Sequence, residues 1–129
     1  MRASTGRGTL GAVNDLDTLI TDWLTLPDVA ERLDVEVTRV RRLIEEGQLI
    51  AVRRGDPVVR MIPALMLTDD AIAPYLGGTI TVLRDGGFED EEMLVWLFTA
   101  DESLPGRPID QLRQGRRGEV RRRALALAL

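Results

Sequence analysis

Six arginines lie between positions 39 and 60: Arg39, Arg41, Arg42, Arg53, Arg54 and Arg60. Only Glu45, Glu46 and Asp56 offset them, so the stretch is +3 within a chain of net charge −4. A guanidinium stays charged at any ordinary pH, and its planar fork pairs bidentately with guanine O6 and N7 or with a phosphate. Arginines grouped this way suit nucleic-acid recognition. Little else in the chain offers chemistry. Cys and His are absent, which removes disulfides, thiolate metal sites, thiol nucleophiles, His-based triads and nearly all zinc chemistry. Carboxylates, Ser/Thr, Arg and one Tyr remain. Acid pairs such as Asp69–Asp70 and Glu91–Glu92 read as helix caps and solvated helix starts rather than general acid/base pairs. The expectation is a protein without catalysis and without a cofactor.

The arginines need elements to hold them. Thr25 is a plausible N-cap with Asp28 three residues on, a capping-box variant, and Leu24 and Val29 are spaced as a hydrophobic staple. A helix should start there, with Val29, Ala30 and Leu33 on its apolar face, and turn at Asp34, a residue type that tolerates left-handed backbone. A second helix fits 37–46, with Val37, Val40, Leu43 and Ile44 inward and Gly47 just past its end. Glu36, Thr38, Arg39, Arg41, Arg42 and Glu45 are then outward. Beyond Gly47, two β-prone runs at 49–53 and 58–62 flank Arg54-Gly55-Asp56-Pro57, which predicts a hairpin closed by Pro63.

Helix, turn, helix and hairpin in this order form a winged helix-turn-helix over about 15–66. Its second helix enters a DNA major groove, with Glu36, Thr38 and Arg39 near base edges and Arg41 and Arg42 on bases or phosphates. The hairpin would bring Arg53, Arg54 and Arg60 to phosphates or the minor groove. Six phosphate contacts imply a log–log salt slope of about −5, from roughly −0.9 per contact. The plainer alternative is a solvated helix whose Arg41–Glu45 and Arg42–Glu46 pairs contribute a few tenths of a kcal/mol each.

Around this unit, residues 1–14 are Gly, Ser, Thr and Arg with few apolar side chains, and read as a disordered tail. Thr9 lies in that tail between Arg7 and Leu10, as an accessible site for a Ser/Thr protein kinase would; a phosphate there adds about −1.5 to −2 charges and would weaken DNA binding. An unmodified tail is the alternative. Leu16, Leu19, Ile20, Trp23 and Leu24 follow helical spacing and predict a short helix. A helical C-terminal region is expected over 67–129, after a boundary at 67–78 where Pro74 interrupts any continuous helix. Within it, one helix ends at Gly86-Gly87, and another starts near Asp90 with Met93, Leu94, Leu97 and Phe98 or Trp96 inward. A short one runs from Pro108 to about Gln114, and a last from Arg116 to Leu129. Trp23 and Trp96 read as core rather than stacking platforms. The fold class is mainly α. No apolar run reaches the roughly 18 to 20 residues of a membrane span, so a cytoplasmic protein is the default.

The charges are segregated. Residues 15–36 carry seven acids and one Arg, 85–102 seven acids and no base, and 107–123 seven Arg against two acids. An overall pI near 4.9 therefore only requires that contact with nucleic acid be local.

The segment "LTLPDVAERLDVEVTRVRRLIEEGQLIAVRRG" resembles the winged helix-turn-helix of MerR-like and excisionase-like DNA-binding proteins. With "VLRDGGFEDEEMLVWLFT" added, the whole chain is similar to a small actinobacterial family of winged-helix DNA-binding proteins. That resemblance implies transcription regulation on double-stranded DNA. Asp34 replaces the usual turn Gly, and Glu36-Val37 stand where such helices often carry Ser-Arg. The stretch "LFTADESLPGRPIDQLRQGRRGEVRRRA" resembles the partner-binding domain of Xre-type antitoxins. It implies a protein partner or self-association through Leu112, Val120 and the closing Leu/Ala helix, and an interaction module as the alternative function. Equally, those residues could cover the winged helix, with Arg116, Arg117 and Arg121 to Arg123 solvated or on phosphates.

Overall fold

Thr25 ends one element and starts the next. A computed structural model describes residues 16–102 and 104–129, and in it strand β1 (Trp23–Thr25) runs directly into helix α1 (Leu26–Leu33). The Thr25 hydroxyl accepts from the Asp28 amide (3.2 Å) and the Asp28 carboxylate accepts from the Thr25 amide (3.3 Å), the capping box expected from the sequence. At Asp34 the backbone turns left-handed (φ 58°). Helix α2 (Val37–Glu45) follows and closes at Gly47 (φ 76°), whose amide donates to Ile44 O (3.1 Å) while Gln48 N–H reaches Leu43 O (2.8 Å). This is a Schellman closure, and only glycine adopts the left-handed residue at little cost.

Strands β2 (Val52–Arg54) and β3 (Val59–Pro63) form the wing, and β1 adds to its other edge, giving an antiparallel sheet of order β1-β3-β2. The strand corrects the helix expected through Leu24. Only residues 16–19 are helical, and Trp23, Leu24 and Thr25 lie opposite Pro63, Ile62 and Met61. The edge of β3 offers unpaired backbone groups to this segment, and long-range pairing overrides a helical spacing that still places Leu16 and Ile20 in the core. Leu49, Ile50 and Ala51 are buried ahead of the first wing strand, which is therefore shorter than the apolar run.

After a 3-10 turn (Ala64–Met66), four helices complete the chain: α3 (Leu76–Asp85), α4 (Asp90–Phe98), α5 (Pro108–Arg113) and α6 (Gly118–Ala128). The architecture is a winged helix-turn-helix followed by a helical region. One apolar cluster joins both parts, from Leu16 and Val40 through Ile62 and Met66 to Leu83, Leu97, Val120 and Ala124. Trp23 and Trp96 pack against it, half-buried. Arg116 does not start the final helix because its amide is used to close α5 on Gln111 O (2.8 Å).

Several arginines outside the wing serve the scaffold. Arg113 donates to Leu65 O (2.8 Å) and to Leu67 O, and Arg32 to Thr68 O (3.0 Å), so two guanidiniums hold the connection between the two parts. Arg107 forks onto Asp110 (2.7 and 2.9 Å) at the start of α5. Its hydrogen bonds hold the Asp110 carboxyl below the usual carboxylate range and raise the Arg107 guanidinium further.

Two glycines separate packing from propensity. A Cβ on Gly78 would meet nothing within 4 Å, whereas one on Gly86 would fall 2.6 Å from Ala128 Cβ and 2.7 Å from its Cα. Gly78→Ala should therefore stabilise the protein by about 0.5–1 kcal/mol through helix propensity. Gly86→Ala should destabilise it by about 1–3 kcal/mol, because α6 must move away. Urea midpoints of the two variants against the parent check both signs.

Candidate nucleic-acid interface

Helix α2 buries Val40, Leu43 and Ile44 and leaves Thr38, Arg39, Arg41, Arg42 and Glu45 exposed. Thr38, Arg41 and Arg42 are three and four residues apart and share a face. The N-cap, Glu36, makes no side-chain hydrogen bond to the helix. The Arg41–Glu45 and Arg42–Glu46 pairs of the plainer reading do not form. Among the described residues, no ion pair involves any arginine of this helix.

The wing adds two more free cations. Arg53 and Arg60 are directly opposite one another across β2 and β3, both exposed and neither ion-paired among the described residues. Like charges in that position weaken a strand pair unless an anion lies between or beside them. The two side chains line a cleft of about 460 Å³ with Ala51, Val52, Asp90 and Glu91. Asp90 is held by Arg84 (3.2 Å), and Glu92 caps the Glu89 amide (2.7 Å). Glu91 has no such partner among the described residues.

Arg54 is the exception to the expected set. Successive residues of a strand point to opposite faces, so Arg54 turns away from Arg53. It is half-buried, ion-paired with Asp17, and its guanidinium lies 4.9 Å from the Trp23 ring centroid. Strand alternation was the available signal that these neighbours differ. The structure thus brings Thr38, Arg39, Arg41 and Arg42 together on α2 and Arg53 with Arg60 on the wing, and ties Arg54 to the β1 side. Thr9 lies outside the described residues.

Residues 14–67 match the family described as the winged helix-turn-helix domain of DNA-binding protein Rv2175c, and residues 74–128 match the Rv2175c C-terminal domain of unknown function. The chain belongs to the Rv2175c family. A relative from Mycobacterium tuberculosis, named DNA-binding protein Rv2175c, is 41% identical over 116 residues, covering 80% of this chain and 78% of its own. The NMR structure of Rv2175c superposes with a TM-score of 0.76 at 38% identity, over 84% of this chain and 82% of that one. Membership of the Rv2175c family bears out the resemblance to a small family of winged-helix proteins.

In the C-terminal part, Leu112 and Val120 are fully buried in the chain's own core. Of the residues suggested as a partner surface, Leu125, Ala126, Leu127 and Leu129 at the end of the chain stay exposed. Among the described residues no helix is long and apolar enough to cross a membrane.

The two neighbouring arginines of β2 should respond oppositely to neutralisation. Arg54→Gln loses the Trp23 stack and the Asp17 pair, and should cost about 0.5–1.5 kcal/mol. Arg53→Gln relieves repulsion with Arg60 and should be neutral or stabilising by a few tenths of a kcal/mol. Urea unfolding followed by tryptophan fluorescence measures the two side by side.

Proposed function

We propose that this protein binds double-stranded DNA, with α2 in the major groove and the wing beside it, and acts as a cytoplasmic transcriptional regulator without catalysis. One observation carries the reading. Five arginines, Arg39, Arg41, Arg42, Arg53 and Arg60, stand exposed on the two elements a winged helix-turn-helix presents to a duplex, with no carboxylate paired to any of them among the described residues. The name of the mycobacterial relative, a DNA-binding protein, supports it. Residues 15–66 form the DNA-binding unit in this reading and 67–129 its helical companion, and the likeness to MerR-like and excisionase-like proteins suggests a similar docking of the second helix. Thr38 and Arg39, near the start of α2, would meet base edges; Arg41, Arg42, Arg53 and Arg60 take phosphates or bases. Arg54, turned onto Trp23, contributes by fixing the wing.

Thr9, with Arg7 two residues before it, is a candidate acceptor for a Ser/Thr protein kinase, and the added charge would repel a phosphate backbone. Partner binding of the antitoxin type has less support, since it rests on the exposed Leu125, Ala126, Leu127 and Leu129.

Fluorescence anisotropy with a genomic duplex pool across a salt series tests the proposal. With Arg54 set aside and Arg39 on base edges, four phosphate contacts give a log–log slope of about −3.6, and Arg41→Ala/Arg42→Ala should flatten it by about 2. Absence of binding at low salt would overturn the DNA reading. In the same assay Thr9→Asp should weaken binding, and an unchanged affinity would count against control through the tail.

A further inference from the structure

The C-terminal region contains a small groove that none of the α2 or wing residues reaches. It begins at Tyr75, which sits in left-handed backbone (φ 62°, ψ 6°) at the start of α3 and is 47% exposed. A bulky residue rarely adopts this conformation, and where it does the surroundings hold it in place, often at a ligand site. Here the Tyr75 carbonyl accepts from both the amide (3.2 Å) and the hydroxyl (3.1 Å) of Thr79. The ring is carried outward to the start of α6, where the Arg117 guanidinium lies 4.7 Å from its centroid.

Arg121 follows Arg117, the N-cap of α6, by one helical turn, its amide donating to Arg117 O (2.8 Å). Together with Gly78, Thr79, Val82 and Ala124, these residues enclose about 170 Å³. Among the described residues no carboxylate lines the groove. Glu119, the one acid of α6, pairs with Arg122 instead. Neither Arg117 nor Arg121 has an ion-pair partner among the described residues. Two guanidiniums converge on one opening, one of them beside an aromatic ring, and apart from Thr79 the rest of the lining is apolar.

We infer that this groove is an anion site in which Arg117 and Arg121 grip a phosphate group and the Tyr75 ring orients Arg117. Arg suits the task because its fork matches phosphate oxygens two at a time. The phosphate has two sources: the backbone of a bound duplex, as a contact additional to those of α2 and the wing, or a free phosphate-bearing ligand. Volume supports a phosphate with a small attachment rather than a large ligand buried whole.

Tyr75 is the only tyrosine in the chain, so the full-length protein made with 3-fluorotyrosine has a single ¹⁹F resonance at the proposed site. Titration with inorganic phosphate, with chloride at matched ionic strength as the control, should shift that resonance saturably for phosphate alone. Arg117→Gln/Arg121→Gln should weaken the phosphate response by about tenfold or more, on the scale of a lost charge-assisted hydrogen bond. Gly78→Glu, which adds a carboxylate where a Cβ meets open space, should do the same without disturbing the packing. A phosphate response no different from chloride, or one that survives in both variants, overturns the proposal. A short duplex then separates the sources. A shift with duplex that the Arg117/Arg121 variant loses assigns the DNA backbone, while a shift with phosphate and none with duplex assigns a free ligand. The phosphate arm does not depend on DNA binding, so failure of the DNA reading and failure of this one are distinguishable.

Discussion

Everything the winged helix presents depends on the pairing of a three-residue strand, β1, with β3. Thr25 is at once the last rung of that ladder, opposite Met61, and the N-cap of α1. The direction in which α1 leaves the sheet is therefore set by backbone hydrogen bonds on one side of Thr25 and by a reciprocal side-chain cap on the other. Asp34 transmits that direction to α2 through a three-residue turn, and Gly47 ends α2 against α3, where its missing side chain leaves room for the Arg84 guanidinium at 3.1 Å from the would-be Cβ. Losing β1 would free both α1 and the outer edge of the wing, and with them the relative placing of the α2 and wing arginines.

How much of this was readable in the sequence depended on how local each cause is. The Thr25–Asp28 box, the Asp34 turn and the Gly47 closure are set within four or five residues, and each stands where composition and spacing put it. The strand nature of Trp23 and Leu24 was not legible, because their partners Pro63 and Ile62 are nearly forty residues away and their spacing mimics a helix. The placing of Arg54 was hidden for a related reason. Six arginines in one segment look alike as a composition, but strand alternation sends Arg53 to solvent and Arg54 to Trp23. Tyr75 gave no local sign of left-handed backbone; Pro74 marked only a break in the helix.

The C-terminal arginines show a second limit. As a run of charge, 107–123 reads as one basic face, yet the structure divides it by function. Arg107 fastens the start of α5 to its own Asp110, Arg113 satisfies two carbonyls of the connection after the wing, and Arg122 pairs with Glu119. Of the four that remain, Arg117 and Arg121 line the groove beside Tyr75, and Arg116 and Arg123 are exposed. Buried or half-buried backbone carbonyls must find donors, and a guanidinium with five N–H groups can serve two of them at once. Charge density in a sequence is thus an upper bound on the charge left for a ligand.

The acids follow the same division, and this is what lets a chain of net charge −4 keep a positive face. Asp17, Asp28, Asp90, Glu92, Asp110 and Glu119 are each engaged by a guanidinium or a helix-start amide. None of them pairs with an arginine of α2. Charge acts over distances set by screening, about 8 Å at physiological salt, so the acids that weigh on α2 are first its own, Glu45 within it and Glu36 and Glu46 at its ends. The cleft beside the wing differs, because Asp90 and Glu91 line it together with Arg53 and Arg60. Asp90 is paired with Arg84, which leaves Glu91 as the unpaired carboxylate of that cleft among the described residues. A carboxylate beside two guanidiniums lowers the positive potential there, so that side of the wing attracts a polyanion less than Arg53 and Arg60 alone would.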